Sequence, residues 1–355
     1  MSRKIGILTG GGDCPGLNGV IRGVVEVCAK NDIQVYGFHA GWRGALTGEG
    51  HYLTLDEVSG IQTQGGTILE SSRTNVAKIE GGNEQVKATM EKLGLDALVA
   101  IGGDDTLGVA NKLRKELGIN VVGVPKTIDN DLNSTDFTFG FDTAANIAME
   151  AMDRIHTTAA SHARCFVVEC MGRSSGWITL QSGIAADAHL VLIPEFPTTI
   201  DEVMKLVKKR YQDGKRYTII AIAEGVSIEG LEQENLGVDA FGHPLLVNSN
   251  LAKDLADQIE KLMREDASLD EKRQYFECRS LVLGHLQRGG RPSAFDRMLS
   301  SRMGIAAGEL IAAQDYGHMV ALRGTEMVKE DLDYAVTVRK DVPKELYDAV
   351  KVFFH

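Results

Sequence analysis

The chain has 355 residues and is 43% hydrophobic, enough for a large core, and its length points to two lobes rather than one. A net charge of −11 and a pI near 5.4 exclude nonspecific nucleic-acid binding, but not an anionic substrate met by a local cluster of bases. No apolar run is long enough to span a membrane, Met1-Ser2-Arg3-Lys4 leads into a strand too short for a signal sequence, and five cysteines without a CxxC pair fit a reduced, cytoplasmic protein.

Residues 4–8 read as a buried strand running into Thr9-Gly10-Gly11-Gly12-Asp13-Cys14-Pro15-Gly16, with a helical pattern over 17–30. Strand, glycine loop and helix start is a layout in which backbone N–H groups and the helix dipole hold a phosphate. It serves equally as a tight turn that needs glycine, because neither GxxxxGK[ST] nor GxGxxG is matched. A second strand is expected over 33–38 and a loop over 41–50. Another Gly/Ser-rich loop, from Gly65-Gly66-Thr67 to Ser71-Ser72-Arg73-Thr74, precedes a helix over 83–93.

The stretch 101–131 is the richest in chemistry. Two apolar strands, 97–101 and 120–124, end in Gly102-Gly103-Asp104-Asp105-Thr106 and Pro125-Lys126-Thr127-Ile128-Asp129-Asn130-Asp131. A helical pattern over 107–117 joins them. Ligands of open α/β sheets bind at the carboxyl ends of strands. Acids, hydroxyls and one lysine at two adjacent strand ends suit a place where phosphate and a divalent metal meet.

A second run of βα units starts near Asp142, with a hinge near Gly140. Its helices are expected at 143–160, from 177 to about 186, at 200–212 and at 248–264. Its strands are expected at 163–169, 189–193, 217–223 and 276–283. Polar residues again follow the strand ends: Met171-Gly172-Arg173-Ser174-Ser175-Gly176, Pro194-Glu195, Glu224-Gly225 and Gly284-His285-Leu286-Gln287-Arg288. A polar insert covers 229–243, and a helix over 295–313 and a short strand over 319–322 close the series.

Taken in order, LTGGGDCPGLNGVIRGVV, GGTILESSR, IGGDDT, PKTIDND, SHARCFVVECMGRSSG, IPE, AEG and LGHLQRGGRP resemble the phosphofructokinase family nearly end to end. The resemblance implies an α/β fold of two Rossmann-like three-layer lobes with the active site in the cleft between them. The donor lobe would take 1–140 plus about 285–336, and the sugar-phosphate lobe 141–284 plus about 337–355. Asp129 matches the family's proton acceptor and Asp104 its Mg²⁺ position, while Asp131 would orient a loop group or the metal. Gly11, Arg73 and Lys126 would meet the donor phosphates. Arg173 would meet transition-state charge. Thr127, Asp129, Met171, Gly172, Arg173, Glu224, His285 and Arg288 would bind the sugar phosphate. Arg164 and Arg279 match positions contributed by a neighbouring subunit, which implies a homodimer or homotetramer with shared active sites.

Asp105 and Lys126 bear on the donor. Family members that use ATP commonly carry glycine at both positions. Two like charges about 4 Å apart repel by roughly 4 kcal/mol at an effective dielectric near 20, so a carboxylate at Asp105 disfavours an α-phosphate. Lys126 supplies a point cation for a short, highly charged donor and can offset Asp105. The pair resembles the pyrophosphate-dependent type. The expected reaction is Mg²⁺-dependent, reversible transfer from pyrophosphate to O1 of D-fructose 6-phosphate, in glycolysis or gluconeogenesis. The alternatives are an ATP-dependent 6-phosphofructokinase and a non-catalytic regulatory subunit, which should have lost Asp104, Asp129 or Arg173. His156, where regulated relatives carry Arg, argues against nucleotide-effector control.

Overall fold

The computed structural model describes residues 3–231 and 250–355. Positions 232–243 of the expected insert and 248–249 of the expected helix lie outside the described residues. The chain divides into two compact units, Met1–Thr143 with Arg288–Lys340, and Ala144–Gln287 with Asp341–His355.

In chain order the first unit opens with β1 (Arg3–Thr9), α1 (Leu17–Lys30), β2 (Ile33–Phe38), α2 (Trp42–Thr47), β3 (Gly50–Tyr52) and α3 (Gly82–Leu93). Then come β4 (Ala97–Gly102), α4 (Asp104–Leu117) and β5 (Val121–Pro125). The long α5 (Phe141–His162) leads into β6 (Cys165–Cys170), α6 (Trp177–Ala185), β7 (Leu190–Leu192), β8 (Thr198–Thr199) and α7 (Ile200–Gln212). The second unit continues with β9 (Thr218–Ala223), β10 (Ile228–Glu229), α8 (Leu251–Glu265) and β11 (Cys278–Val282). The chain returns to the first unit with α9 (Ala294–Ala313), β12 (His318–Arg323), β13 (Glu326–Asp331) and α10 (Leu332–Ala335), and α11 (Lys344–Val350) belongs to the second.

The first unit holds a seven-stranded sheet in the order β13-β12-β5-β4-β1-β2-β3. Its inner strands are parallel, and β3 and β13 pair antiparallel at the two edges. Strands of such a sheet are covered on both faces and read as unbroken apolar runs. On one face Leu8, Phe38, Leu98, Ala100, Val121 and Met319 pack with α2, α3, α4 and α10. The alternate residues Ile7, Val99, Ile101 and Val122 are equally buried, and α1 and α9 pack on the sheet as well as on each other. The second unit has the parallel sheet β11-β6-β9-β7, with α7 and α8 over Val167, Ile220 and Ile222. In that unit α11 is anchored by Tyr347, which stacks on Phe196 and donates its hydroxyl proton to Val191 O at 2.8 Å.

Three expectations are corrected here. The helix read from residue 107 starts at Asp104, so Asp104 and Asp105 lie in its first turn, where carboxylates oppose the positive end of the helix dipole. The expected loop over 41–50 contains α2 and reaches the start of β3. The last strand is not the end of the sheet: β12 turns back into β13. No helix among the described residues is long and apolar enough to cross a membrane.

Small residues bring α1 and α9 together. A Cβ at Gly23 would lie 2.9 Å from the Gly304 backbone, and one at Gly304 would lie 2.4 Å from Val20 O. Backbone cannot yield as a flexible side chain can. Gly304→Leu should therefore destabilise the protein by about 3 kcal/mol. The check is the denaturant midpoint, and an unchanged midpoint would contradict the close contact.

Candidate active site

In the first unit's sheet the connection from β1 runs outward to β2, whereas β4 and β5 extend the sheet on the other side of β1. The reversal falls between β1 and β4, and ligands of open α/β sheets bind at such a switch point. Gly10 N donates to Ile101 O at 2.9 Å, and Lys126 N to Gly102 O at 2.9 Å, so the loops after β1, β4 and β5 lie side by side.

The first loop is shaped by what lies over it. Gly11 has φ 78°, a left-handed conformation that favours glycine. Its N–H donates to Ser72 O at 3.1 Å, which places Arg73, the next residue and an exposed one, beside the glycines. Lys126 Nζ would be 3.4 Å from a Cβ at Gly11, and its ammonium donates to Gly12 O. Lys126 is buried, and that burial lowers its pKa, opposed in part by the charges of Asp129 and Asp13. Arg288 lies over Gly12: a Cβ there would be 1.7 Å from Nη1. The resemblance groups Arg288 with His285, but the structure seats its guanidinium on the glycine loop.

Asp104 and Asp105 begin α4 behind an extended Gly103, and Asp105 N donates to Asp104 Oδ1 at 2.9 Å. In the neighbouring loop Asp129 N donates to Thr127 Oγ1 at 3.0 Å. Thr138 Oγ1 donates to Thr127 O at 2.8 Å. The Thr127 hydroxyl also bonds Asp131, so it shapes the loop itself. Burial, then the charges of Asp129 and Asp104, push Asp131 up to about 7. Three carboxylates thus share one electrostatic neighbourhood. Among the described residues no group of three or more His, Cys, Asp or Glu is arranged to hold a metal.

The second unit divides its candidates between two ends of one sheet. At the carboxyl ends, Glu224 N donates to Cys170 O at 3.0 Å and Gly172 N to Glu224 Oε1 at 3.5 Å. Gly225 lies under Arg173, whose carbonyl would be 1.8 Å from a Cβ there. Met171 N donates to Gln287 Oε1 at 3.3 Å, which ties in the turn carrying the exposed His285. At the amino ends, Arg164 and Arg279 share Glu277, Arg279 at 3.3 Å. From Arg164 to Met171 the strand rises roughly 20 Å. One copy of this unit cannot bring both sets to one small sugar phosphate.

Motif reading gave no role to Thr106, Thr138, Glu195, Gln287 or Lys340. Thr106 packs on Gly10 and Gly102, and Glu195 Oε1 accepts from Gly176 N at 3.0 Å and Val342 N at 3.2 Å. Thr106, Glu195 and Gln287 stand inside the IGGDDT, IPE and LGHLQRGGRP motifs, so a signal was present for those three.

The phosphofructokinase family profile matches residues 4–311. The chain belongs to the phosphofructokinase family. A pyrophosphate–fructose 6-phosphate 1-phosphotransferase of Amycolatopsis methanolica is 50% identical over 357 residues, covering 99% of each chain. An ATP-dependent 6-phosphofructokinase of Mycobacterium leprae is 44% identical, again over 99% of each. The fold matches that of a pyrophosphate-dependent phosphofructokinase from Nitrosospira multiformis, with a TM-score of 0.82 at 21% identity, covering 100% of this chain and 91% of that one.

The carboxylate neighbourhood of this phosphofructokinase has a pH signature. A folded-state pKa raised from the usual 3.8 to about 7 gives stability that is present below the unfolded value and lost as pH rises through about 7. In metal-free buffer, Asp131→Asn should melt like the parent near about pH 4 and several degrees higher near about pH 8. Thermal melts across that range check it, and parallel curves would refute it.

Proposed function

We propose that this phosphofructokinase transfers a phosphoryl group from pyrophosphate to O1 of D-fructose 6-phosphate, reversibly and with Mg²⁺, yielding D-fructose 1,6-bisphosphate and phosphate in the cytoplasm. The observation that carries this reading is the buried Lys126 ammonium over Gly11 and Gly12, with Asp105 in the first turn of the next helix. A compact cation suits a short donor of high charge density. The full-length relative named for pyrophosphate is 50% identical, against 44% for one named for ATP.

Phosphoryl transfer asks the protein chiefly for positioning and charge stabilisation. Asp129 takes the proton from the O1 hydroxyl as that oxygen attacks phosphorus. The bond from phosphorus to the bridging oxygen breaks, and phosphate leaves. Lys126 and Arg73 meet the charge on the leaving phosphate, and Arg173 meets that on the moving group. Glu224 accepts from sugar hydroxyls, and His285 binds the sugar's phosphate. Bound Mg²⁺ would neutralise and orient the donor oxygens. Asp104 would hold it, since Mg²⁺ takes one or two carboxylates with phosphates and water. The residues fit, because burial and then the charges of Asp129 and Asp104 raise Asp131, and a cation there would relieve that crowding of carboxylates.

An assay with each donor, with and without chelator, tests the reading. Activity with pyrophosphate that EDTA abolishes is expected, and activity with ATP alone would overturn it. Asp105→Gly should shift the donor ratio toward ATP, and an unchanged ratio would remove Asp105 as the selector.

Arg164 and Arg279 reach the sugar phosphate of a second copy. Asp129→Ser and Arg164→Ala should each be inactive alone. Co-expressed, they should regain activity, because a hybrid contains one site with both native residues. No recovery would place Arg164 outside a shared site.

A further inference from the structure

Lys340 lies in none of the family-like motifs. It is the last residue of the first unit before the chain passes to Asp341. Its backbone N–H donates to Asp131 O at 2.8 Å, and Arg339 before it bridges antiparallel to Leu132. Its side chain also serves this loop. The ammonium donates to Asn130 Oδ1 at 3.0 Å, Thr135 O at 3.0 Å and Asp136 O at 2.9 Å. Lys340 thus brackets residues 130–136, which begin immediately after Asp129.

That stretch is not relaxed backbone. Asn130 has φ 51° and Ser134 φ 72°, both in the left-handed region that residues with a side chain seldom enter. Such backbone persists where the surroundings over-determine it, and it gathers where geometry matters to function. Asn130 Oδ1 takes a second bond, from Thr138 N at 3.0 Å, so Lys340 and Thr138 fix one side chain from two directions. Lys340 itself is half-buried. Burial lowers its pKa to about 8, with Asp136 and Asp131 opposing that shift and Arg323 adding to it.

We infer that Lys340 is the positioning residue of the loop that carries Asp129: its ammonium holds 130–136 in the strained conformation that aims the Asp129 carboxylate at the acceptor hydroxyl. The inference rests on Asp129 being the base. Lys340 acts through the loop and not on the substrate, so its loss should appear in turnover rather than in binding.

The test compares the full-length parent with Lys340→Met and Lys340→Arg. Lys340→Met should lower kcat by between about tenfold and a hundredfold, with KM for both substrates within about twofold. Lys340→Arg, which keeps charge and donors, should recover most of the loss. Amide exchange across 130–136 should quicken in Lys340→Met and stay parental in α1 and β4. A parental kcat in Lys340→Met would overturn the inference, as would a fall in kcat with exchange raised throughout the protein. If Lys340→Met does not accumulate folded, Lys340→Gln, which keeps a neutral amide donor group, should show the same split at smaller size, and a parental kcat there overturns the inference equally. A parent inactive with both donors would sink the proposed reaction, whereas an active parent with unaffected Lys340 variants sinks only the role of Lys340.

Discussion

The register of three parallel strands governs the chemistry of the first unit. β1 meets β4 with Thr9 opposite Ile101, and β4 meets β5 with Gly102 opposite Pro125. The strands therefore end at one level, and their loops open to one side. A slip of one residue would turn each strand's side chains to the opposite face and carry Lys126 away from the glycines. Apolar burial on both faces makes that slip costly, because Ile7, Leu8, Val99, Ala100, Val122 and Val124 are all fully enclosed. The loops are held in place because a slip of the strands beneath them would unseat these buried side chains.

The long buried strands were legible because burial on two faces leaves an unbroken apolar run in the sequence. The start of α4 was not. Gly103, Asp104 and Asp105 are turn formers by composition, but glycine also suits a helix entry and aspartate a first turn. Local sequence does not separate those outcomes; the strand pairing that aims the chain does. β13 and α11 were missed for a related reason. Neither carries a strong local apolar pattern: β13 is a half-exposed edge strand turned back on the adjacent β12, and α11 is short, with its place set by Val191 and Phe196 far away in sequence.

The candidate site shows the same division. Gly11, Asp104 and Asp129 stand directly at strand ends, where position alone gives them meaning. Arg288 is three residues from His285, and nothing local told which neighbour its guanidinium would seek. The missing side chain at Gly12, whose place the guanidinium takes, was the one clue. Lys340 gave no signal, because the group it holds, Asn130, lies 210 residues earlier.

The burial of Lys126 has a further consequence. An ammonium in water is strongly hydrated, and any anion that pairs with it must first strip that shell. Here folding has already done so, with Gly12 O replacing water as a fixed acceptor. A phosphate group bound there, as proposed, would meet a cation whose reorganisation is complete, in surroundings where Coulomb attraction is weakly screened. The gain grows with the charge carried close to one point and little with the remainder of the molecule. On the proposed reading, recognition at this loop would be a measure of ionic density, and a donor would gain little there from a base or a ribose.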